Sequence, residues 1–339
     1  MCIKNKSNRI LFLSKERNNS YGISTGLYQS SLFIVKYLKE EDIACEIKVC
    51  FDANSIDKYI HEFKPTHIVV HAIWITPAKL AELARKYPRV KWNIRIHSKL
   101  PFLSNEGNAI QWLTEYLKLP NVRVSTNNEE ATKQLGLAID KPILCLPNIY
   151  DSDKCKVEKV KKGRQMDIGC FGAVRPLKNI LIQAAAAVAF GNKKKVPIRF
   201  HINSARTEQG GENTLKNIKA LFARYEGRHE LVEHLWSPYE DFLKLVGTMD
   251  LGMQVSLSET FNIVTADFVK MDIPIVVSRE IEWMNEKAFV DQSSIEDIVK
   301  TMISLCNPWR RMWFNISARM HLNNYIKKAK KAWLNYATS

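Results

Sequence analysis

Twice along this chain, short apolar segments alternate with longer segments at helical spacing, and that repetition restricts the fold more than any other feature. In the first half, strands are predicted at Ile10–Leu13, Ala44–Cys50, His67–Ile73, Val90–His97, Val122–Ser125 and Ile143–Leu146. Between them apolar residues recur at helical spacing in Leu27–Lys39, Ile56–Phe63, Pro77–Lys86, Asn108–Leu117 and Glu129–Leu135. Strand–helix alternation with short connections specifies a doubly wound, largely parallel sheet, whose ligands bind beyond the carboxyl ends of the strands.

Residues 151–166 break the pattern: they are charged, lack an apolar face and read as a linker. A second series follows, with strands at Asp167–Phe171, Ile198–Ile202, Leu231–Leu235, Leu251–Val255 and Ile273–Val277. Its helices are predicted at Lys178–Phe190, Glu212–Tyr225, Tyr239–Leu245 and Glu259–Lys270, with Ile295–Cys306 and the segment from Pro308 onward closing the domain. The 339 residues suffice for two domains with a core each. They divide into a first domain over 1–150, the linker, and a second domain over 167–339.

Hydrophobic content of 46% and charged content of 25% exclude disorder as the default. No apolar run approaches the roughly 20 residues needed to span a bilayer. The N-terminal residues are polar, with no signal-peptide core, and seven scattered cysteines form no C-x-x-C pair. The expectation is a soluble, cytoplasmic protein with free thiols and no metal site. The net charge of +15 is clustered: Arg85 to Lys99 holds six cations and no acid, and the last 39 residues hold seven with none. Such clusters suit a polyanionic partner, nucleic acid or an anionic membrane surface, unless they serve solubility alone. Trp309, Trp313, Trp333 and Tyr336 lie among the last of these cations. That mixture fits nucleic acid, an interfacial helix or plain helix packing.

Glu259 and Asp267 stand eight residues apart around an uncharged, mostly apolar segment. With Ser256 and Ser258 ahead of it, Glu259 is predicted at a helix mouth, and Asp267 about two turns, roughly 12 Å, further in. A helix mouth favours an anion such as a diphosphate, and the carboxylates could hold hydroxyls on either side. A sugar nucleotide has that layout. Upstream, Phe171 to Lys178 follows a predicted strand and opens a helix, with Gly172 at the turn and Arg175 and Lys178 as cations that could face a diphosphate. Tyr21 to Gly26, with Gly22 and Gly26, forms a glycine loop after the first strand. Within Val90–His97 apolar and polar residues alternate strictly, as in a strand with one wet face. His97 falls at its carboxyl end. His67 and His71 read as core histidines. Trp236, at a strand end, could stack on a base or pack in the core.

The segment Ser256–Asp267 resembles the E-x7-E signature of retaining glycosyltransferases with the GT-B fold, the group usually called family four. The resemblance implies two Rossmann-like domains facing a central cleft, the second binding a nucleotide-sugar, UDP-linked, as co-substrate with no cofactor and no metal. It places Glu259 on the donor sugar, Asp267 on the ribose, and Thr260, Phe261, Asn262 and Ile263 in the backbone-contact stretch. Asp267 departs from the family Glu by one methylene. Gly172 to Lys178 is similar to the G-R-L-x-x-x-K-G element, whose Arg and Lys clamp the diphosphate. Lys178 keeps the spacing, Ala173 replaces the Arg, Asn179 replaces the last Gly, and Arg175 is the substitute cation. Gly22 and Gly26 match the family's glycine loop, His97 its strand-end histidine, and Arg95 and Lys99 flank His97 on the acceptor side. Tyr325–Tyr336 matches the last helix, which in this fold crosses back to the first domain. The activity implied is retaining transfer by front-face displacement. The basic clusters point to a hydroxymethylated base in DNA as acceptor, as in bacteriophage DNA-modifying enzymes. A lipid-linked or surface glycan at an anionic membrane is the alternative, and a non-catalytic nucleic-acid binder of the same fold a third. No obligate protein partner is evident.

Overall fold

The computed structural model describes residues 8–17, 25–152, 163 and 165–339. They form two compact units. One takes the described residues up to Asp151 together with Ile326–Ser339, and the other takes Ser152–Tyr325. The last residues of the chain therefore group with the first unit and not with the second domain drawn over 167–339.

In the first unit β1 (Arg9–Lys15), α1 (Thr25–Glu40), β2 (Ala44–Cys50), α2 (Ile56–Phe63), β3 (His67–His71), α3 (Pro77–Lys86), β4 (Lys91–Ile96), α4 (Leu100–Leu103), α5 (Ala109–Tyr116), β5 (Val122–Thr126), α6 (Glu129–Ile139) and β6 (Leu144–Cys145) follow in chain order. The strands pair in the order β2-β1-β3-β4-β5-β6, all parallel. Pleating sends Leu11, Ile68, Val70, Trp92, Ile94 and Ile96 to one face, where they pack with Leu80 and Leu83 of α3 and Leu113 of α5.

The other face carries Phe12, His67, His71, Asn93 and Arg95, and here the alternation misleads. The face is not wet: Arg95 is 0% exposed and Asn93 1%. The chain's last turns cover it. Trp333 packs with its centroid 5.6 Å from Phe12, and the Arg95 guanidinium lies 5.3 Å over the Trp333 ring. Tyr336 meets His67 edge-on, and the Trp333 indole donates to the Pro147 carbonyl at 2.7 Å. Several of the buried polar groups bond to one another; Asn93 Nδ2, for example, donates to Ser125 Oγ at 2.9 Å, while Asn93 Oδ1 and His67 Nε2 have no hydrogen-bond partner among the described residues.

In the second unit β7 (Met166–Gly169), α7 (Ile180–Lys194), β8 (Ile198–Asn203), α8 (Gly211–Ala223), β9 (His229–His234), α9 (Tyr239–Gly247), β10 (Leu251–Gln254), α10 (Ile263–Lys270), β11 (Ile275–Ser278), β12 (Phe289–Val290), α11 (Ile295–Leu305) and the first part of α12 (Pro308–Thr338) succeed one another; from Ile326 on, α12 groups with the first unit. The order is β12-β11-β10-β7-β8-β9, again all parallel. From β7 the chain winds outward through β8 and β9, then returns to the other side of β7 as β10. The sheet thus reverses its winding between β7 and β10, and in sheets of this kind ligands bind beyond the carboxyl ends of the strands at that point. Of the 151–166 linker, residues 153–162 and 164 lie outside the described residues.

The role of the chain's end in the first unit is testable. Trp333→Ala removes a fully buried indole and its hydrogen bond, and should cost about 3–5 kcal/mol. Thermal or denaturant unfolding reads it directly; a loss below about 1 kcal/mol would show that Trp333 is not part of that core.

Candidate functional site

Residues that the sequence analysis singled out converge at the β7/β10 switch point. The segment after β7 runs through Gly172 and a single 3-10 turn, Pro176–Lys178, into α7. Gly172 adopts a φ of +118°, which a side chain would strain, and its amide donates to Asn203 Oδ1 at the end of β8. The segment after β10 carries Glu259. Its carboxylate forms an ion pair with Lys178 Nζ, and both side chains are about nine-tenths buried. Burial pushes the Glu259 carboxyl up, but Lys178 and then Arg175 pull harder, and it ends below the usual carboxylate range. Glu259 is thus an anion held between two cations.

Around the pair lies a set of amide side chains that the sequence analysis missed. Gln254 donates to the Phe171 carbonyl at 2.8 Å. Its oxygen accepts from Asn262 Nδ2 at 2.8 Å and from Lys178 Nζ at 3.4 Å. Gln183 donates to the Lys178 carbonyl at 2.7 Å and accepts from the Val255 amide at 2.9 Å. Asn179 donates to the Val255 carbonyl at 3.1 Å. These bonds tie the two carboxyl-end loops into one body. The only sequence signal for them is a lone Gln closing the apolar strand Leu251–Gln254 and another on the apolar helix α7.

The helix predicted over Glu259–Lys270 is shorter. It starts at Ile263, because Asn262 takes a left-handed φ of 53° and caps it by accepting from the Thr265 amide at 2.9 Å. Glu259 therefore sits on the loop ahead of the helix mouth. Thr260 and Ile263 are half-buried. The Phe261 side chain is core, stacked on Tyr325 at 5.0 Å, while its carbonyl accepts from the Trp283 indole. Asp267 is 1% exposed inside α10 and accepts from the Tyr239 hydroxyl at 2.9 Å. Arg175 pairs with Glu208 at 3.5 Å. Trp236, two residues beyond β9, is half-buried with the Arg206 guanidinium 5.2 Å over its ring, so it is not a core residue.

In the first unit, His97 follows β4 by one residue and shares Arg95's side of the strand. Arg95 stands opposite His71 in the β3–β4 register. His97 Nε2 lies 2.9 Å from His71 Nδ1 and 3.2 Å from Arg95 Nη1. A guanidinium can only donate, so His97 Nε2 accepts. His71 then carries its proton on Nδ1, and its Nε2 faces the Ser31 hydroxyl at 2.9 Å. This leaves the proton of His97 on Nδ1. Burial first, then Arg95, holds both rings well below the ordinary histidine pKa, so both are neutral.

Arg95 also donates to the Leu146 carbonyl and, at 2.6 Å, to Asn148 Oδ1. Expected on the acceptor side, Arg95 is fully buried, and its contact with His97 is through Nη1. Lys99 is likewise buried, at 7% exposure. Just past β3, Ala72 adopts a left-handed φ of 65°, a strained backbone where the first sheet also reverses its winding. Gly26 is exposed in the first turn of α1, and Gly22 lies outside the described residues. His67 and His71 are core residues, 1% and 2% exposed. Among the described residues no group of three or more His, Cys, Asp or Glu side chains gathers as metal ligands would.

No protein-family model matches this chain. No curated protein matches it either. Solved structures do. The N-terminal domain of Candida albicans trehalose-6-phosphate phosphatase superposes with a TM-score of 0.73 at 10% identity, covering 98% of this chain and 97% of that one. An E. coli trehalose-6-phosphate structure bound with UDP-2-fluoro glucose gives 0.70 at 11% identity, covering 97% and 99%. A glycosyltransferase from Rickettsia africae gives 0.67 at 14% identity, covering 98% of each chain. At these identities the likeness concerns the fold, and the chain has the GT-B fold: two Rossmann-like units, each on a parallel six-stranded sheet.

Two expectations follow. Lys178→Met leaves the Glu259 carboxylate buried without its cation and should destabilise the second unit by about 3–5 kcal/mol, whereas adding Glu259→Gln should recover much of the loss. Unfolding of the two variants checks this, and equal stabilities would dismiss the pair as a buried ion pair. In the first unit, burial takes His67 from 6.5 to about 4, with Lys91 and Arg123 adding to the shift. Between those values the unfolded chain binds a proton that the folded unit refuses. Stability should be complete above pH 6.5 and decline as pH falls towards 4, and His67→Gln should flatten that decline by about one proton. Thermal melts across the window read the slope.

Proposed function

We propose that this chain is a retaining glycosyltransferase that moves a sugar from a nucleotide-sugar, UDP-linked, to a hydroxyl acceptor. The observation that carries the reading is the buried Lys178–Glu259 pair at the switch point of the second unit, with Arg175 close enough to depress the Glu259 carboxyl. Lys178 pairs with the Glu259 carboxylate, and Arg175 pairs with Glu208. A diphosphate would draw Lys178 and Arg175, and Glu259 would exchange its cation for hydroxyls of the transferred sugar. As the glycosidic bond breaks, negative charge grows on the leaving phosphate, and cations already desolvated and in place stabilise it strongly. Asp267 is assigned to the ribose, in company with Tyr239. Gly172 and the backbone of Thr260, Phe261, Asn262 and Ile263 are assigned to the phosphates and sugar, and Trp236 to the base. The mechanism assigned is front-face displacement with retention, as the resemblance to family four implies.

On the acceptor side, the neutral His97 is assigned to the sugar or acceptor hydroxyl. The cations proposed for DNA are distributed otherwise. Arg85, Lys86, Arg89 and Lys91 are exposed before or at the start of β4, at the opposite end of the strand from His97, while Arg95 and Lys99 near it are buried. A hydroxymethylated DNA base therefore has only net charge in its favour. A small acceptor such as a sugar or sugar phosphate, the kind of compound that the names of the structural neighbours include, fits the buried polar surroundings of His97 better. The intact Lys178–Glu259 pair favours an enzyme over a non-catalytic binder.

A thermal-shift panel of nucleotide sugars, followed by transfer assays with the stabilising donor, tests the reading. The expected result is stabilisation by a UDP-sugar and a loss of roughly 100-fold or more in turnover for Glu259→Gln, with His97→Ala reduced as well. Wild-type turnover in Glu259→Gln, or no response to any nucleotide sugar, would remove the donor-site assignment.

A further inference from the structure

The helix α12 has two apolar faces in its first half. The inner one, Phe314, Ala318 and Leu322, is buried in the second unit. The outer one is not used by the fold. Trp309 (69% exposed), Trp313 (65%), Ile316 (53%) and Met320 (56%) follow one another at i, i+4, i+7 and i+11 and form a continuous stripe in solvent. Scattered exposed apolar residues need no explanation, but a stripe led by two tryptophans does.

Beside the stripe, Met312, Ile316 and Met320 line one side of a trough of about 570 Å³ that also takes in Asp272, Arg319 and Asn323. Arg319 is ion-paired with Asp272, so the trough's polar edge is already neutralised. The charged residues of α12 itself are all cations. Arg310 is exposed and Arg311 partly so, Lys327, Lys328 and Lys331 are exposed on later turns, and after Asp297 the chain has no acidic residue.

These observations discriminate among occupants. Two copies packed stripe to stripe as parallel helices would bring Arg310 towards its own counterpart with no acid on either helix to separate them. A nucleic acid would use the cations and stack on the tryptophans, but would leave Ile316, Met312 and Met320 in water. A bilayer with anionic headgroups satisfies all three features. Aliphatic side chains enter the acyl boundary, indoles lie at the headgroup level, and Arg and Lys meet the negative surface. No described helix is long and apolar enough to cross a membrane, so the helix would lie in the interface plane.

We propose that the first half of α12 is an interfacial docking surface for an anionic lipid bilayer. The proposal is independent of the transfer reaction, and its test reads binding alone. The full-length protein is sedimented with vesicles of phosphatidylcholine, or of phosphatidylcholine with about 30 mol% phosphatidylglycerol, while tryptophan emission is recorded. Binding to the anionic vesicles with a blue shift is expected. Trp309→Ser combined with Trp313→Ser should lower that binding by roughly tenfold or more and abolish most of the shift. Arg310→Gln combined with Lys327→Gln should weaken it and reduce its salt dependence. Thermal melts confirm that these exposed substitutions leave the fold unchanged. The proposal is overturned if wild type ignores anionic vesicles, or if the double tryptophan variant binds them equally. It is also overturned if the tryptophan substitutions instead dissociate a dimer in ultracentrifugation, or release a bound oligonucleotide.

Discussion

A wholly parallel sheet with helices on both faces has to reverse its winding somewhere, and in the second unit the reversal separates the ends of β7 and β10. Two loops then leave neighbouring strands in opposite directions, and the backbone ends there are not covered by a crossover helix. The Lys178–Glu259 pair occupies that point, and the surrounding amides of Gln254, Gln183 and Asn179 hold the two loops in register. A buried ion pair is a poor source of stability compared with apolar packing of the same volume. Its retention at the switch point suits groups that a charged ligand can reclaim, since the cost of taking them out of water has been met during folding.

The first unit solves a different problem with similar means. One face of its sheet is lined with His67, His71, Asn93 and Arg95, residues that would ordinarily face solvent. The terminal segment of the chain, more than 230 residues away in sequence, covers this face through Trp333 and Tyr336. Once covered, each polar group needs a partner, and the His71–His97–Arg95 contacts follow from strand register. The neutral state of both histidines follows from burial and from the neighbouring Arg95 guanidinium. Their chemistry belongs to the assembled unit and not to any one strand.

Much of the architecture was legible because it rests on local periodicity. Ala44–Cys50, Ile56–Phe63 and Pro77–Lys86 were read to the residue, since alternation, Pro at a helix start and charged ends are all local signals. The start of α10 was not, because the left-handed Asn262 that delays it is compatible with a helical pattern on either side. The strand Val90–His97 was found but its environment was misjudged. Alternation reports only that two faces differ, and cannot say that a distant tryptophan will roof the polar one. Glu259, Lys178 and His97 were picked out by residue type and position, whereas Gln254, Gln183 and Asn203 carry no such mark and emerged only from their bonds.

What the amino-acid order determined by itself is the alternation of strands and helices, the break near the middle of the chain, and the spacing that sets Glu259 and Asp267 eight residues apart. These depend on side-chain period and turn chemistry, which act over a few residues. Tertiary structure alone decided that Lys178, 81 positions earlier, meets Glu259, that Arg95 is interior, and that α12 keeps a second apolar face in water. Such outcomes depend on which segments become neighbours and on what is left uncovered, and desolvation then sets the charge state of every group enclosed.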